Sequence, residues 1–242
     1  MWLLIACSNS PIDVDVTKKP TVSNEAVNVV STTPTIHTTT STCWDGDLQS
    51  QASETDMLVL CDGVFYDLEV DHDLTISGHA DTVLSGYIRV TDATLKLMNL
   101  KAYNTEIVAQ DSNLLLNHVE VTWQSNPTIL IDSQGLLVDT IYTNNYLPET
   151  SVIELTNSDL YIIHGAIYDN VSQDAWGAIQ LWEGSYLEAR SVYWNTGNVV
   201  YAPDRNREWD VLFDRKTNNG FRFNRLWTHF WCQSEGTYCS SF

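Results

Sequence analysis

LKLMNLKAYNTEIVAQDSNLLLNHV, residues 95–119, contains one short phrase twice, and the recurrence of that phrase decides the architecture. An apolar residue is followed by one variable position, a second apolar residue and, three further on, a branched aliphatic: Leu95-x-Leu97-x-x-Leu100 and Leu114-x-Leu116-x-x-Val119. The phrase returns as Leu136-x-Val138-x-x-Ile141 and Leu187-x-Ala189-x-x-Val192, with a degenerate copy between them, Leu160-x-Ile162-x-x-Gly165, whose aliphatic slips to Ile167. The opening leucines of the five copies are 19, 22, 24 and 27 residues apart. An internal period of this length marks stacked coils rather than one closed globule, because each unit buries its apolar face only against its neighbours.

Short β-rich runs precede the copies: Ile88-Arg89-Val90, Ile107-Val108-Ala109, Ile129-Leu130-Ile131, Val152-Ile153-Glu154-Leu155 and Ala178-Ile179-Gln180-Leu181, with a sixth run at Val199-Val200-Tyr201. The first five end in polar turns such as Asp111-Ser112-Asn113 and Glu183-Gly184-Ser185, and the leucine phrase follows each turn. Strand, turn, strand and longer loop, repeated about every 22 residues, resembles the right-handed parallel β-helix of the pectin-lyase-like superfamily. Leucine-rich repeats share the leucine spacing but need an inward Asn or Cys and a helical wall. Here the intervening stretches are rich in Thr, Tyr, Val and Asn, which favour strands and turns. The expected fold is all-β, a right-handed parallel β-helix of about 6–7 coils with disulfide-stapled caps.

Composition shifts divide the chain into residues 1–7, 8–42, 43–72, 73–213 and 214–242. Residues 8–42 are rich in Thr, Ser, Val and Pro without amphipathic periodicity, and read as a disordered tether. Residues 43–72 read as an N-terminal cap, 73–213 as the β-helix, and 214–242, crowded with aromatics, as a C-terminal cap or a docking surface for an acidic or glycan partner. Of the five cysteines, Cys43 pairs by position with Cys61 and Cys232 with Cys239, which suits an exported protein. Cys7 is left over. It stands in Leu4-Ile5-Ala6-Cys7-Ser8, which resembles the lipobox of bacterial lipoproteins. That resemblance implies lipidation of Cys7, with residues 1–7 the remnant of a longer signal, and a protein anchored at the cell surface or outer membrane. The membrane is then a partner through the anchor alone.

The net charge of −19 lies in the body. Residues 43–198 hold 23 acids against four bases, Arg89, Lys96, Lys101 and Arg190. Such a surface repels nucleic acid and anionic lipid, and leaves neutral glycans, basic surfaces and divalent cations as partners. It also disfavours a lyase acting on an anionic uronate polymer. For a hydrolase, the carboxylates to consider are Asp169, Asp174, Glu183 and Asp204; as turn residues they read more simply as solvent-facing acids. Asp92, Asp111 and Asp132 occupy matching turns, about 4.8 Å apart if coils stack, where Ca²⁺ would relieve their repulsion. No cofactor other than Ca²⁺ is suggested.

The aromatics point elsewhere. Tyr142, Tyr168 and Tyr193 each follow the last aliphatic of a repeat and, by strand alternation, are expected to form an outward stripe. Trp176, Trp182 and Trp194 lie in the same coils, with Asn144, Asn170 and Asn195 nearby for hydrogen bonds. Flat aromatics beside amides suit sugar rings; the other reading is a tyrosine ladder that only supports itself. Two function classes follow: a non-catalytic, lipid-anchored β-helix for adhesion or carbohydrate binding, and a polysaccharide-degrading enzyme of the pectin-lyase-like type. A plain structural spacer needs no site.

Overall fold

The computed structural model describes residues 43–147, 150–173, 178–194 and the strands at 199–202, 205–206, 211–213, 220–224, 230–232 and 238–241. Cys7, the tether at 8–42, Asp174, Trp176, Asn195 and Asp204 lie outside the described residues. From residue 43 onward the chain is a parallel β-solenoid of about five turns. Each coil has three strand faces joined by three corners. Leu74–Ser77, Gln134–Val138, Asp159–Ile163 and Tyr186–Arg190 belong to the second face, and Ile141–Thr143, Ala166–Tyr168 and Tyr193–Trp194 to the third. Thr128–Ile131, Ile153–Thr156, Ile179–Trp182 and Val211–Phe213 build the first. Thr94–Gln110 runs unbroken through all three faces. The named pairings between successive coils are parallel, with register shifts at Tyr66/Leu68 and at Leu84/Gly86.

The corners explain the polar turns. Among the described residues, all 15 non-glycine residues with positive φ sit there, five to a corner. Asp92, Asp111, Asp132, Asn157 and Glu183 turn the first corner, Asn99, His118, Asp139, His164 and Ser191 the second, and Asp67, Asn104, Trp123, Asn144 and Asp169 the third, where Gly86 (φ 90°) also lies. Left-handed backbone reverses the chain in one residue, and Asn, Asp and Gly tolerate it best.

Beneath two corners run buried polar ladders. At the first, Ser112, Ser133, Ser158 and Ser185 stack, each accepting from a backbone N–H one coil earlier, over 3.3, 3.0, 3.0 and 3.2 Å. Successive rungs of this ladder are 21, 25 and 27 residues apart, so the coils lengthen along the axis. The added residues go mostly into the loop after the third corner. At that corner the Asn145 side chain accepts from the Gln124 N–H (2.8 Å) and donates to Val121 O (3.2 Å) and Asn170 Oδ1 (2.8 Å). Asn170 in turn donates to Tyr142 O (3.1 Å), and all these amides are buried. These bonds satisfy backbone groups that water cannot reach.

The apolar core fills the space inside the three faces, with Leu95, Leu114, Leu160 and Leu187 in one column and Leu97, Leu116, Ile162 and Ala189 in the next. One sequence expectation is corrected here. In the coil of residues 128–143 the columns are filled by Gly135 and Leu137, not Leu136 and Val138, so the third copy of the phrase is displaced by one residue. A slip of one reverses every side chain. Leu136, Val138 and Ile141 therefore face outward, and Tyr142 takes the inward place of Val121 and Ile167. Small residues in the same coil, Thr128, Gly135 and Thr140, make room for its ring, and the phenol hydroxyl pairs with Thr128 Oγ1 at 3.1 Å. Leu130 and Leu160 fill the space over Gly135, where an added Cβ would come within 2.7 Å of each.

The number of turns is also smaller than the 6–7 expected. Val199–Ala202, expected to start a first-face rung, instead pairs with Val171–Gln173 in a separate four-stranded sheet. Parallel rungs begin with Met57–Val59, inside the segment read as cap, and continue to Gly220–Asn224, which pairs with Tyr186–Arg190. The strands after it, Phe230–Cys232 and Tyr238–Ser241, pair antiparallel and set Cys232 opposite Cys239.

The N-terminal edge is closed by a short helix, Leu48–Ala52, whose Leu48 and Ala52 cover the first coil. Asp47 caps it, accepting from Ser50 N–H at 2.7 Å. The Gln49 amide pairs both ways with the Glu69 backbone (2.6 and 3.1 Å), occupying an edge that would otherwise template another strand. The Cys43–Cys61 disulfide ties this cap to the first rung, as expected.

His72 sits at the same end, with Nδ1 on Asp71 (3.1 Å) and Nε2 on Thr55 O (3.4 Å). The Asp71 hydrogen bond, then the Thr55 carbonyl, raise its pKa above 6.5. Raised in the folded state, this group contributes stability that is full below pH 6.5 and is lost as pH rises through the folded value. An NMR titration should place the His72 midpoint above 6.5, and Asp71→Asn should shift it down.

Candidate functional site

Large apolar side chains exposed on this molecule are not scattered. Of the eight, Met57, Val64, Tyr66, Tyr103, Trp123, Ile141, Tyr146 and Tyr193, all but Met57 lie on the third face, its corner or the segment leaving that corner. Tyr66 and Tyr103 stand in the outward column that continues through Thr122 and Thr143 to Tyr168. At about 4.8 Å per coil, Tyr66 to Tyr168 spans about 24 Å. The column is interrupted by Ser85 and by the buried Thr122 and Thr143, so the exposed aromatics form clusters along this face, and such clusters mark an interaction surface.

Trp123 is the most informative member. It is 60% exposed and holds φ of 57° at the third corner. The other residues of that corner column are Asp67, Gly86, Asn104, Asn144 and Asp169, types that accept left-handed backbone readily. A tryptophan there costs about 1–3 kcal/mol of backbone strain and gains no burial in return. Its column neighbours are Asn104 and Asn144, and Ser125 Oγ donates to Asn104 Oδ1 at 3.3 Å. An aromatic plane is thus ringed by amide and hydroxyl groups.

The tyrosine stripe expected from sequence is only partly present. Tyr168 and Tyr193 do face outward on the third face, their rings 6.2 Å apart and edge to face. Tyr142 does not: it is 1% exposed, turned inward by the one-residue slip. Burial pushes its phenol pKa far above the usual value, the Thr128 hydrogen bond opposing only part of that rise. Trp182 ends a strand of the first face, away from the exposed aromatics, and the backbone of Trp194 is in register with Ile167. Of the amides thought to flank a sugar, Asn144 is exposed, while Asn170 is buried in the asparagine ladder. Tyr66, Tyr103 and Trp123 escape the sequence reading because none stands directly after the last aliphatic of a repeat. The signal available was the Trp at a position where neighbouring coils place Asn.

Asp169 and Glu183 are exposed and turn different corners, the third and the first. The strand Ile179–Trp182 lies between those corners, four residues or about 13 Å, beyond the separation of about 5–10 Å that a glycosidase pair needs. Asp92, Asp111 and Asp132 do stack on the first corner as expected, but amides attend them: Gln110 donates to Asp111 (3.4 Å) and Asn157 to Asp132 (2.5 Å). Among the described residues no group of three His, Cys, Asp or Glu side chains is arranged to hold a metal ion, and no helix is long and apolar enough to cross a membrane.

Fold and surface together define a parallel β-solenoid with exposed aromatics clustered on one face and its corner. Compared with protein-family models, curated proteins and solved structures, the chain matches none of them.

Proposed function

We propose that this protein is a non-catalytic, carbohydrate-binding β-helix of the pectin-lyase-like kind, held at a cell surface by a lipid on Cys7. Trp123 carries the reading: an exposed indole kept in strained backbone, beside Asn104 and Asn144, is retained for a ligand and not for the fold. Indole and phenol faces stack on the C–H faces of pyranose rings, and the amides bond the hydroxyls. The ligand is a neutral glycan, since the charge of −19 opposes a polyanion.

The test is a glycan array probed with the full chain and with Trp123→Asn. Loss of a central aromatic contact is worth about 2 kcal/mol, some thirtyfold in affinity. Asn relaxes the left-handed backbone, so the same variant is expected to melt no lower than the parent. Unchanged binding by Trp123→Asn would refute the site, and shortened oligosaccharides among the products would refute the non-catalytic reading.

A further inference from the structure

The outward side of the second face holds a groove that the exposed aromatics of the third face do not involve. Lys96, Leu115, Leu136, Tyr161 and Glu188 form one column, four coil steps or about 19 Å long. Leu115 and Leu136 are shorter than the lysine and tyrosine that flank them. The column therefore dips into a cavity of about 400 Å³ whose lining reaches Leu114 and Gly135. Asn113 and Gln134 line one side, Ile163 and Arg190 the other.

Charge gives this groove a direction. Arg190 is paired with Glu188 at 2.6 Å, and Arg89, on another face, with Glu106 at 3.6 Å. Lys96 is exposed at the opposite mouth and makes no salt bridge among the described residues. Glu188 is the one carboxylate in the lining, at the far end and already neutralised. At the Lys96 mouth the lining itself holds no carboxylate, and the neighbouring Asp73, one coil earlier on the same face, accepts the Thr94 N–H at 2.8 Å. Between the charged ends the floor is aliphatic. The amides of Asn113 and Gln134 lie along one side only, while the floor itself removes alkyl carbons from water.

We infer that the groove binds a free long-chain alkyl carboxylate, its head group on Lys96 and its chain lying over Leu115 and Leu136 toward Tyr161. The occupant and the face both differ from those of the glycan reading, so either can fail alone.

Calorimetric titration of the full chain with octanoate, decanoate, dodecanoate and tetradecanoate, each below its micellar concentration, tests the assignment. Affinity should rise roughly two- to fourfold per added methylene. Lys96→Gln should weaken dodecanoate about tenfold, through loss of a charge-assisted hydrogen bond, while Lys101→Gln on the neighbouring face leaves it unchanged. Glycan binding through Trp123 should survive Lys96→Gln. Affinity independent of chain length, equal losses in the two lysine variants, or dodecanol binding as tightly as dodecanoate would each overturn the inference. So would an oligosaccharide or a second copy of the chain found seated on Lys96 and Leu136.

Discussion

Asn145→Ala is expected to lower the unfolding free energy by about 3–5 kcal/mol, among the largest effects available from one side chain in this chain. The Asn145 side chain satisfies the Gln124 N–H and Val121 C=O and supports Asn170, all inside the third corner. Alanine leaves the first two unpartnered in a space that excludes water, at about 1–3 kcal/mol each, and deprives Asn170 of a donor. Asn145→Asp should be no better, because a carboxylate donates nothing to Val121 O and buries a charge. Asn144, next in sequence, provides the control: it is exposed and turns the corner at φ 54°, so Asn144→Gly should stay within about 0.5 kcal/mol of the parent. Urea unfolding followed by far-ultraviolet circular dichroism measures all three. Equal losses for Asn145→Ala and Asn144→Gly would remove the ladder from the account of stability.

Tyr142→Ala should cost about 3–5 kcal/mol as well, for a different reason. Its ring shares the inside of its coil with Leu130, Leu137 and the small Thr128, Gly135 and Thr140, and the surrounding rungs are held by backbone pairing on both sides. They cannot collapse into the gap, so a cavity remains. Tyr142→Phe keeps the ring and leaves only the Thr128 hydroxyl without its partner, at about 1 kcal/mol. The phenol also sets an alkaline limit. Burial raises its pKa in the folded state, so its contribution is full below the unfolded value of 10.0 and is lost as pH rises beyond it. Alkaline unfolding should begin earlier in the parent than in Tyr142→Phe, relative to their stabilities at neutral pH. Where Tyr142→Phe is folded it should bind glycan as the parent does. A loss there to match Trp123→Asn would return Tyr142 to the surface.

These two residues also show where sequence reading succeeded and where it stopped. Periodicity located the coils, because an inward column needs an apolar side chain once per turn whatever the loops do. Polar turns were found for the same reason: a left-handed corner selects Asp, Asn and Ser, and Asp92, Asp111 and Asp132 lie where their spacing put them. The coil of Gly135 misled, because its inward places hold Gly and Thr while its outward ones hold Leu136, Val138 and Ile141. A one-residue displacement inverts a strand without changing its composition. The same inversion moved Tyr142 out of the expected stripe. Asn170, read as a surface amide, proved to be a rung of the buried ladder, since an asparagine suits a corner equally well on either side of it.

By itself, then, the chain determined that it coils, roughly where each coil turns, that Cys43 meets Cys61, and that its body is acidic. Those properties are local or additive, and follow from spacing and charge alone. Only the tertiary structure decided which face each side chain takes, because facing depends on register with the coils above and below. That register is set by continuous hydrogen-bonding and by how side-chain volumes fit within a rung, neither of which a single strand's sequence contains. It brought Tyr66, Tyr103 and Trp123 onto one surface and lined Lys96 up with two leucines on another.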